Sequence, residues 1–530
     1  MSPDGEASQQ QSHQGLYDPL VAHHARVLDP STAARIDERP LAPTLYVSDR
    51  ILVEGAPTSD EVEALRRWLR EIKHVEATPD RLNRRLHEAR GDRPRRSPWV
   101  TPLQLAPAPG FAVAVDAWPL IQDYRAAVLR SRDQDGKDEN GKDENGGDAE
   151  PGGTPERPDP AVVAERARRA REVRLIGRPA EVGLDHLIAS TVFGQSFTQG
   201  GTKTIGGTKT IGGTKTIGGG VANQYAEPGL GGRTPVAYLG PEPRRSDRQD
   251  RPVVVVLDTG VGQHPWLAAG VTVAPGPQGA EPEQSGILHN RLEGTLDDFS
   301  GHGTFIAGLL RQTCPDADLV MIKVMDADGY VPESVMINAF EQLSNTRAAG
   351  QRVDAVSMSF GYYHEDSDVA KTASLFSALQ TLSAEPDADG RTPVLVASAG
   401  NDATDRPMLP AAFDDVDDLV SVGARNPNGT VALFSNAGAW VDAYWIGAQV
   451  LSTLPTTFDA ALQPTARTAP DKQRRESVDL DDFTGGFALW SGTSFAAPAF
   501  LGRCLQLWLE SGQATRLADV VRDVAEKFRS

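Results

Sequence analysis

Asp258, His302 and Ser494 are the residue types that together could carry out acyl transfer. Ser494 lies in the run SGTSFAAP, His302 in GHGTFIAG, and Asp258 ends the apolar run of VVVVLDTGV. A serine hydroxyl attacks poorly near neutral pH unless a base takes its proton as the new bond forms. A histidine suits that task, and a carboxylate on its other ring nitrogen fixes the tautomer and stabilises the imidazolium. Asp258 follows an unbroken apolar stretch, where a charge is costly to bury unless a partner meets it. Ser494 precedes a long apolar run, the context of a helix start. Taken singly these signals are weak. A serine at such a point is equally a helix cap, and a lone histidine is more often structural. Asp297 and Asp298 are closer to His302 in sequence, but they fall in a polar turn.

Those three contexts, in the order Asp, His, Ser, resemble the subtilisin-like serine proteases (subtilases, peptidase S8) over residues 250–510. The resemblance implies that Ser494 is the nucleophile, His302 its base and Asp258 the partner of the base. Asn401, in VASAGND, is similar to the family's AGN segment, which implies an amide donor to the oxyanion beside the Ser494 backbone N–H. Ser359, Phe360 and Gly361 resemble the edge that pairs with substrate backbone. Ala397, Ser398, Ala399 and Gly400 resemble one wall of the primary specificity pocket. Neither segment carries an acid, so an apolar or uncharged residue is expected before the scissile bond, with the stretch from Arg406 to Leu409 the place where a pocket base could alter this. Phe305 and Phe495 stand where many relatives carry His and Met, and neither belongs to the triad. The implied activity is endopeptidase action on a protein or peptide substrate through an acyl-enzyme on Ser494. The alternative is a catalytically silent peptide-binding scaffold of the same fold. No cofactor is needed for the chemistry, and structural Ca²⁺ is the one ion the resemblance brings into view. Asp326–Gly329 and Asp414–Asp418 are oxygen-rich, yet they lack the ordered spacing of an EF-hand loop, and acidic surface turns account for both.

A formal charge of −19 lacks the basic footprint of nucleic-acid binding. No stretch is long and apolar enough to span a bilayer. The opening MSPDGEASQQQSHQG has no basic start and no apolar core, so a cytoplasmic, membrane-free protein is expected. Two cysteines, Cys314 and Cys504, provide no disulfide framework and read as buried thiols.

Several β-branched runs alternate with helical spacing after residue 250: PVVVVLDTG, DLVMIKVMD, VDAVSMSF and TPVLVASAG. Strands buried on both faces read in this way, and the intervening helices imply crossover connections. The expected class is α/β, a subtilisin-like three-layer fold with a mostly parallel central sheet, plus a smaller N-terminal α/β domain. Residues 1–44 read as poorly ordered, with local helix around Pro19–Leu28. Residues 45–130 read as the small domain, with a turn-containing strand at 45–55, a helix capped by Ser59, strands at 98–105 and 111–118, and a helix from Pro119 to Leu129. An acidic disordered linker is expected at 131–160, a basic helical segment at 161–195, and a Gly-rich tether with three GTKTIG repeats at 196–245. The catalytic domain then spans 250–530. The small domain is expected to act as an intramolecular prodomain or to hold a regulatory partner.

Overall fold

The computed structural model describes residues 18–35, 40–140, 171, 175–176, 178–190, 210–211, 215–216, 232–277, 279–289, 291–292, 294–366, 374–469 and 473–529. Strand β1 (Ala25–Leu28) pairs antiparallel with β2 (Thr44–Glu54). Helix α1 (Asp60–Trp68) follows, with the Ser59 hydroxyl accepting from Val62 N–H at its start. The remaining N-terminal elements are β3 (Val75–Pro79), α2 (Arg81–Arg90), β4 (Val100–Pro107), α3 (Ala117–Asn140) and β5 (Val182–Ser190).

The large parallel sheet is assembled from β6 (Val253–Asp258), β7 (Val271–Ala274), β8 (Asp318–Lys323), β10 (Ala355–Met358), β12 (Val394–Ser398), β13 (Leu419–Arg425) and β14 (Ala443–Ile446). The two short strands between them in sequence are β9 (Tyr330–Pro332) and β11 (Phe360–Gly361). Among the described residues the order is β7-β8-β6-β10-β12-β13-β14, every neighbouring pair parallel. Helices α4 (His302–Thr313), α7 (Thr493–Glu510) and α8 (Leu517–Lys527) share one apolar core with Val254 and Val256. Helices α5 (Glu333–Ala348) and α6 (Ser374–Ala384) share the other with Val255 and Leu257. One strand thus feeds both cores by alternation, which is why its sequence is apolar without a break. The three-layer α/β expectation is met. Both cysteines are buried and free, and burial pushes the Cys314 thiol up to about 12.

The N-terminal sheet does not stop at the N-terminal domain. Its order is β9-β5-β2-β4-β3, with β11 also on β5, so two short strands of the catalytic unit extend it. Helix α5 shows the consequence on its outer face: Asn338 donates toward Asp80 and accepts from Asn83, and Glu341 pairs with Arg95. The N-cap position of α5 is Pro332, which has no side chain to bond the first free N–H groups. Asp185 of β5 supplies that cap across the interface, accepting from Ser334 N–H at 2.8 Å and from its hydroxyl at 2.7 Å.

Several expectations need correction. Residues 18–35 are ordered, with a helical turn at Pro19–Ala22 and then β1, because the strand has an edge of β2 to pair with. The strand at 44–54 contains no turn; a register irregularity between Tyr46 and Ile51 absorbs the polar Ser48-Asp49-Arg50 stretch. Residues 111–116 form no strand, and Val113 and Val115 simply pack against the N-terminal core. Helix α3 continues to Asn140, into the first part of the expected linker. Residues 182–190 are strand β5 rather than helix. The rest of the linker, most of the basic segment and most of the GTKTIG tether lie outside the described residues. Within the tether, Thr210–Ile211 and Lys215–Thr216 pair antiparallel.

Candidate active site

Parallel register brings the C-terminal ends of the central strands to one edge of the sheet. Leu257 pairs with Met358, and Met358 with Ala397, so Asp258, Ser359 and the Ala397–Asn401 stretch emerge together. This edge is where open α/β sheets hold their ligands. Helix α4 starts there with His302, after Gly301 in the left-handed region at φ +80°. Gly303 is required for a different reason: a Cβ there would drive into the Gly260 carbonyl and approach Asp258 Oδ1 to 3.2 Å. The two glycines let the histidine come down onto the strand end.

His302 Nδ1–H donates to Asp258 Oδ1 at 2.7 Å, and both side chains are fully buried. Asp258 Oδ1 also accepts from Thr259 N–H at 2.8 Å. The His302 ring lies against Phe299, Trp490 and Phe495 at centroid distances of 6.0, 5.8 and 5.4 Å. The Phe305 and Phe495 rings pack on each other, with centroids 4.5 Å apart. Asp297 is engaged elsewhere, accepting from the Leu288 and His289 N–H groups.

Ser494 is the second residue of α7 and is buried, its carbonyl accepting from Ser359 Oγ at 2.9 Å. Asn401 Oδ1 accepts from Thr493 N–H at 2.9 Å and from Thr493 Oγ1 at 3.0 Å. A backbone N–H can only donate, so the amide orientation is fixed and Nδ2 faces the other way. That Nδ2 is buried and makes no hydrogen bond. Phe360 and Gly361 form β11. Ala397, Ser398 and Ala399 are buried at the end of β12, and the Gly400 N–H donates to Thr493 Oγ1. Arg406 does not reach the pocket wall: its guanidinium donates to the Pro43 and His364 carbonyls and stacks on Tyr363.

Sequence reasoning missed Ser190, the last residue of β5. Its Oγ lies 3.3 Å from His302 Nε2 and donates to the Ser359 carbonyl at 3.4 Å, while its N–H donates to the Gly329 carbonyl at 2.8 Å. Strand β5 therefore runs antiparallel between β9 and β11, pairing Ile188 with Val331 and Ala189 with Gly361. Glu283 was also missed. It accepts from Gly301 N–H at 3.0 Å and from Thr304 Oγ1 at 3.1 Å. Burial pushes its carboxyl up to about 7, the Asp258 charge adds to this, and hydrogen bonds to the carboxylate only partly offset it. Between about pH 4.5 and 7 the unfolded chain has released this proton and the folded chain has not, so folding loses stability as pH rises across that window. Glu283→Gln removes the linkage. Its melting temperature relative to wild type is expected to climb steadily over that range, and a pH-independent difference would refute the assignment.

Within the acidic stretches Asp326 pairs with Lys323, Asp417 with Arg96 and Asp418 with Arg516, and Asp328 Oδ2 lies 2.9 Å from His23 Nε2. No helix among the described residues is long and apolar enough to cross a membrane.

A parallel-sheet α/β unit with a buried Asp–His pair and a serine at a helix start defines a class of serine hydrolase. Residues 249–508 match the subtilase family, peptidase S8. The chain is 28% identical over 228 residues to subtilisin BL of Lederbergia lenta, covering 41% of this chain and 71% of that protein. It is 29% identical over 232 residues to an intracellular serine protease of Paenibacillus polymyxa, covering 41% and 63%. It is 28% identical over 231 residues to the major intracellular serine protease of Bacillus subtilis strain 168, covering 41% and 64%. Through residues 249–508 the chain belongs to the subtilase family and is a subtilisin-like serine endopeptidase acting on protein or peptide substrates.

Proposed function

We propose that Ser494 is the nucleophile, His302 its general base, Asp258 the group that orients the base, and Asn401 the oxyanion donor, and that β5 keeps this endopeptidase latent. The observation that carries the reading is the seating of β5. A segment of the chain's own backbone lies between two strands as a peptide would, and its last residue touches the His302 nitrogen that must receive the serine proton. Main-chain pairing of this kind gives affinity with little demand on side chains. The polar docking face of α5 supports a separable domain, since interfaces between domains are more polar than cores. Residues 45–130 with β5 thus serve as an intramolecular inhibitor. The bonds just after Ser190 are where the chain would be cut to release it. The uncharged wall Ala397–Gly400 favours an apolar or uncharged residue before the scissile bond. An intracellular setting belongs to the same proposal, supported by two relatives named intracellular serine proteases.

Fluorophosphonate labelling with intact mass measured over time tests both parts. Uncut wild type is expected to label slowly, and chain cleaved after Ser190 and freed of its N-terminal fragment quickly. Ile188 is fully buried against the catalytic unit, so Ile188→Asp places an unpaired carboxylate there and should unseat β5. That variant is expected to label without a lag. Equal labelling of uncut wild type and the folded variant would sink the latency reading. Lack of label on Ser494 in cleaved, folded protein freed of its N-terminal fragment would sink the nucleophile assignment.

A further inference from the structure

Where β5 crosses the catalytic unit, four ionisable side chains meet in a nearly dry pocket. His186 of β5 is 2% exposed, Glu333 0%, Glu365 4% and His364 8%. His186 Nδ1 lies 2.6 Å from Glu333 Oε2, and its Nε2 lies 2.7 Å from Glu365 Oε2. His364 Nδ1 is 3.5 Å from the same Glu365 oxygen, and the two imidazoles are 4.9 Å apart between centroids. Glu333 is held from behind by Tyr362 Oη–H at 3.1 Å and Leu375 N–H at 2.8 Å, both donating to Oε1.

We propose that His186, His364 and Glu365 bind a divalent cation of the zinc class, with Glu333 orienting His186, and that this ion pins β5 in the cleft. The ligand atoms offered by these three residues all lie within 4.8 Å of one another. Tetrahedral zinc with bonds of about 2.1 Å separates its ligand atoms by about 3.4 Å. The His364–Glu365 pair already stands near that separation. The His186–Glu365 pair must open by about 0.7 Å to reach it, a movement of one carboxylate. His364 Nδ1 gives up the hydrogen bond it accepts from Asp366 N–H at 3.1 Å. His186 keeps its Nδ1 proton on Glu333 and offers Nε2 to the metal, the carboxylate–histidine–metal relay that fixes ring orientation and raises ligand basicity.

Charge points the same way. Two buried carboxylates, Glu333 and Glu365, face two imidazoles in a nearly dry site, where unmatched negative charge is costly. A divalent cation with two neutral imidazoles and two carboxylates is neutral. The ligands also come from both sides of the interface, since His186 belongs to the inhibitory strand and His364 and Glu365 follow β11. The pinning role rests on the latency reading; the metal site itself does not.

The test uses untagged full-length Ser494→Ala chain, which keeps β5 attached, loaded with Zn²⁺ or Co²⁺ and freed of excess metal. One equivalent of zinc should be retained, and Co²⁺ should show the intense visible absorption of a tetrahedral site. His186→Ala and Glu365→Gln should each lose both signals while keeping the wild-type circular dichroism. Substoichiometric metal, or a weak octahedral cobalt spectrum in the Ser494→Ala chain, would overturn the site whatever the folding of those variants. So would metal retained by both. In the wild-type chain after cleavage, a chelator should speed dissociation of the N-terminal fragment at least tenfold. Retained zinc with an unchanged dissociation rate would leave the site standing and overturn its role as a clamp.

Discussion

Ser494→Ala is expected to lower peptide hydrolysis by about 10⁶ in kcat and to leave the chain uncut after Ser190. Without Oγ there is no acyl-enzyme, and His302 has no hydroxyl proton to accept. What remains is what substrate positioning and oxyanion donors achieve by themselves, roughly 10³–10⁴ over water. The substitution is small and lies at the start of a well-packed helix, so the fold should persist. Rates on an uncharged peptide, with intact mass followed over days, measure both effects. A mutant that still cuts itself at the wild-type rate would remove Ser494 from the mechanism. A mutant that stays intact, but whose peptide hydrolysis falls less than tenfold, would mean that another group does the chemistry.

The legible parts of this molecule are those where local pattern and tertiary role coincide. The run Val253–Leu257 is apolar throughout because both sheet faces are covered, and Asp258 stands out at its end for the same reason. Gly301 and Gly303 flank His302 because the ring must approach backbone closely, and a motif records that need directly. Strand β5 carries no such mark. Its sequence VGLDHLIAS is buried almost throughout, with Val182 and Leu184 in the N-terminal core and Ile188 in a core of the catalytic unit, so no polar-apolar alternation appears. Asp185 and His186 look like surface residues in one dimension, while their partners Ser334, Glu333 and Glu365 lie more than a hundred residues away. The segment 111–116 fails in the opposite way, alternating like a strand but lacking an edge to pair with. Glu283 was hidden because its importance comes only from contact with Gly301 and Thr304.

Asn401→Ala is expected to cost about 10²–10³ in kcat, or roughly 3–4 kcal/mol, with KM little changed. The interaction is made mainly in the transition state, when the carbonyl oxygen gains charge, so ground-state binding has little to lose. The orphaned Nδ2 is consistent with this: a buried donor left without a partner is an expense that a developing oxyanion would remove. Alanine also deletes the acceptor that holds Thr493 N–H and Oγ1, so some loss of stability, about 1 kcal/mol, should accompany the loss of rate. Asn401→Asp separates the two contributions. Aspartate is nearly isosteric and keeps an acceptor for Thr493, yet it replaces the donor with a negative charge facing the forming oxyanion. Stability should then return toward wild type, while kcat stays as low as in the alanine variant or falls further. Recovery of kcat in Asn401→Asp would make Asn401 a structural cap of α7, and the oxyanion would have to be met by the Ser494 backbone N–H without it.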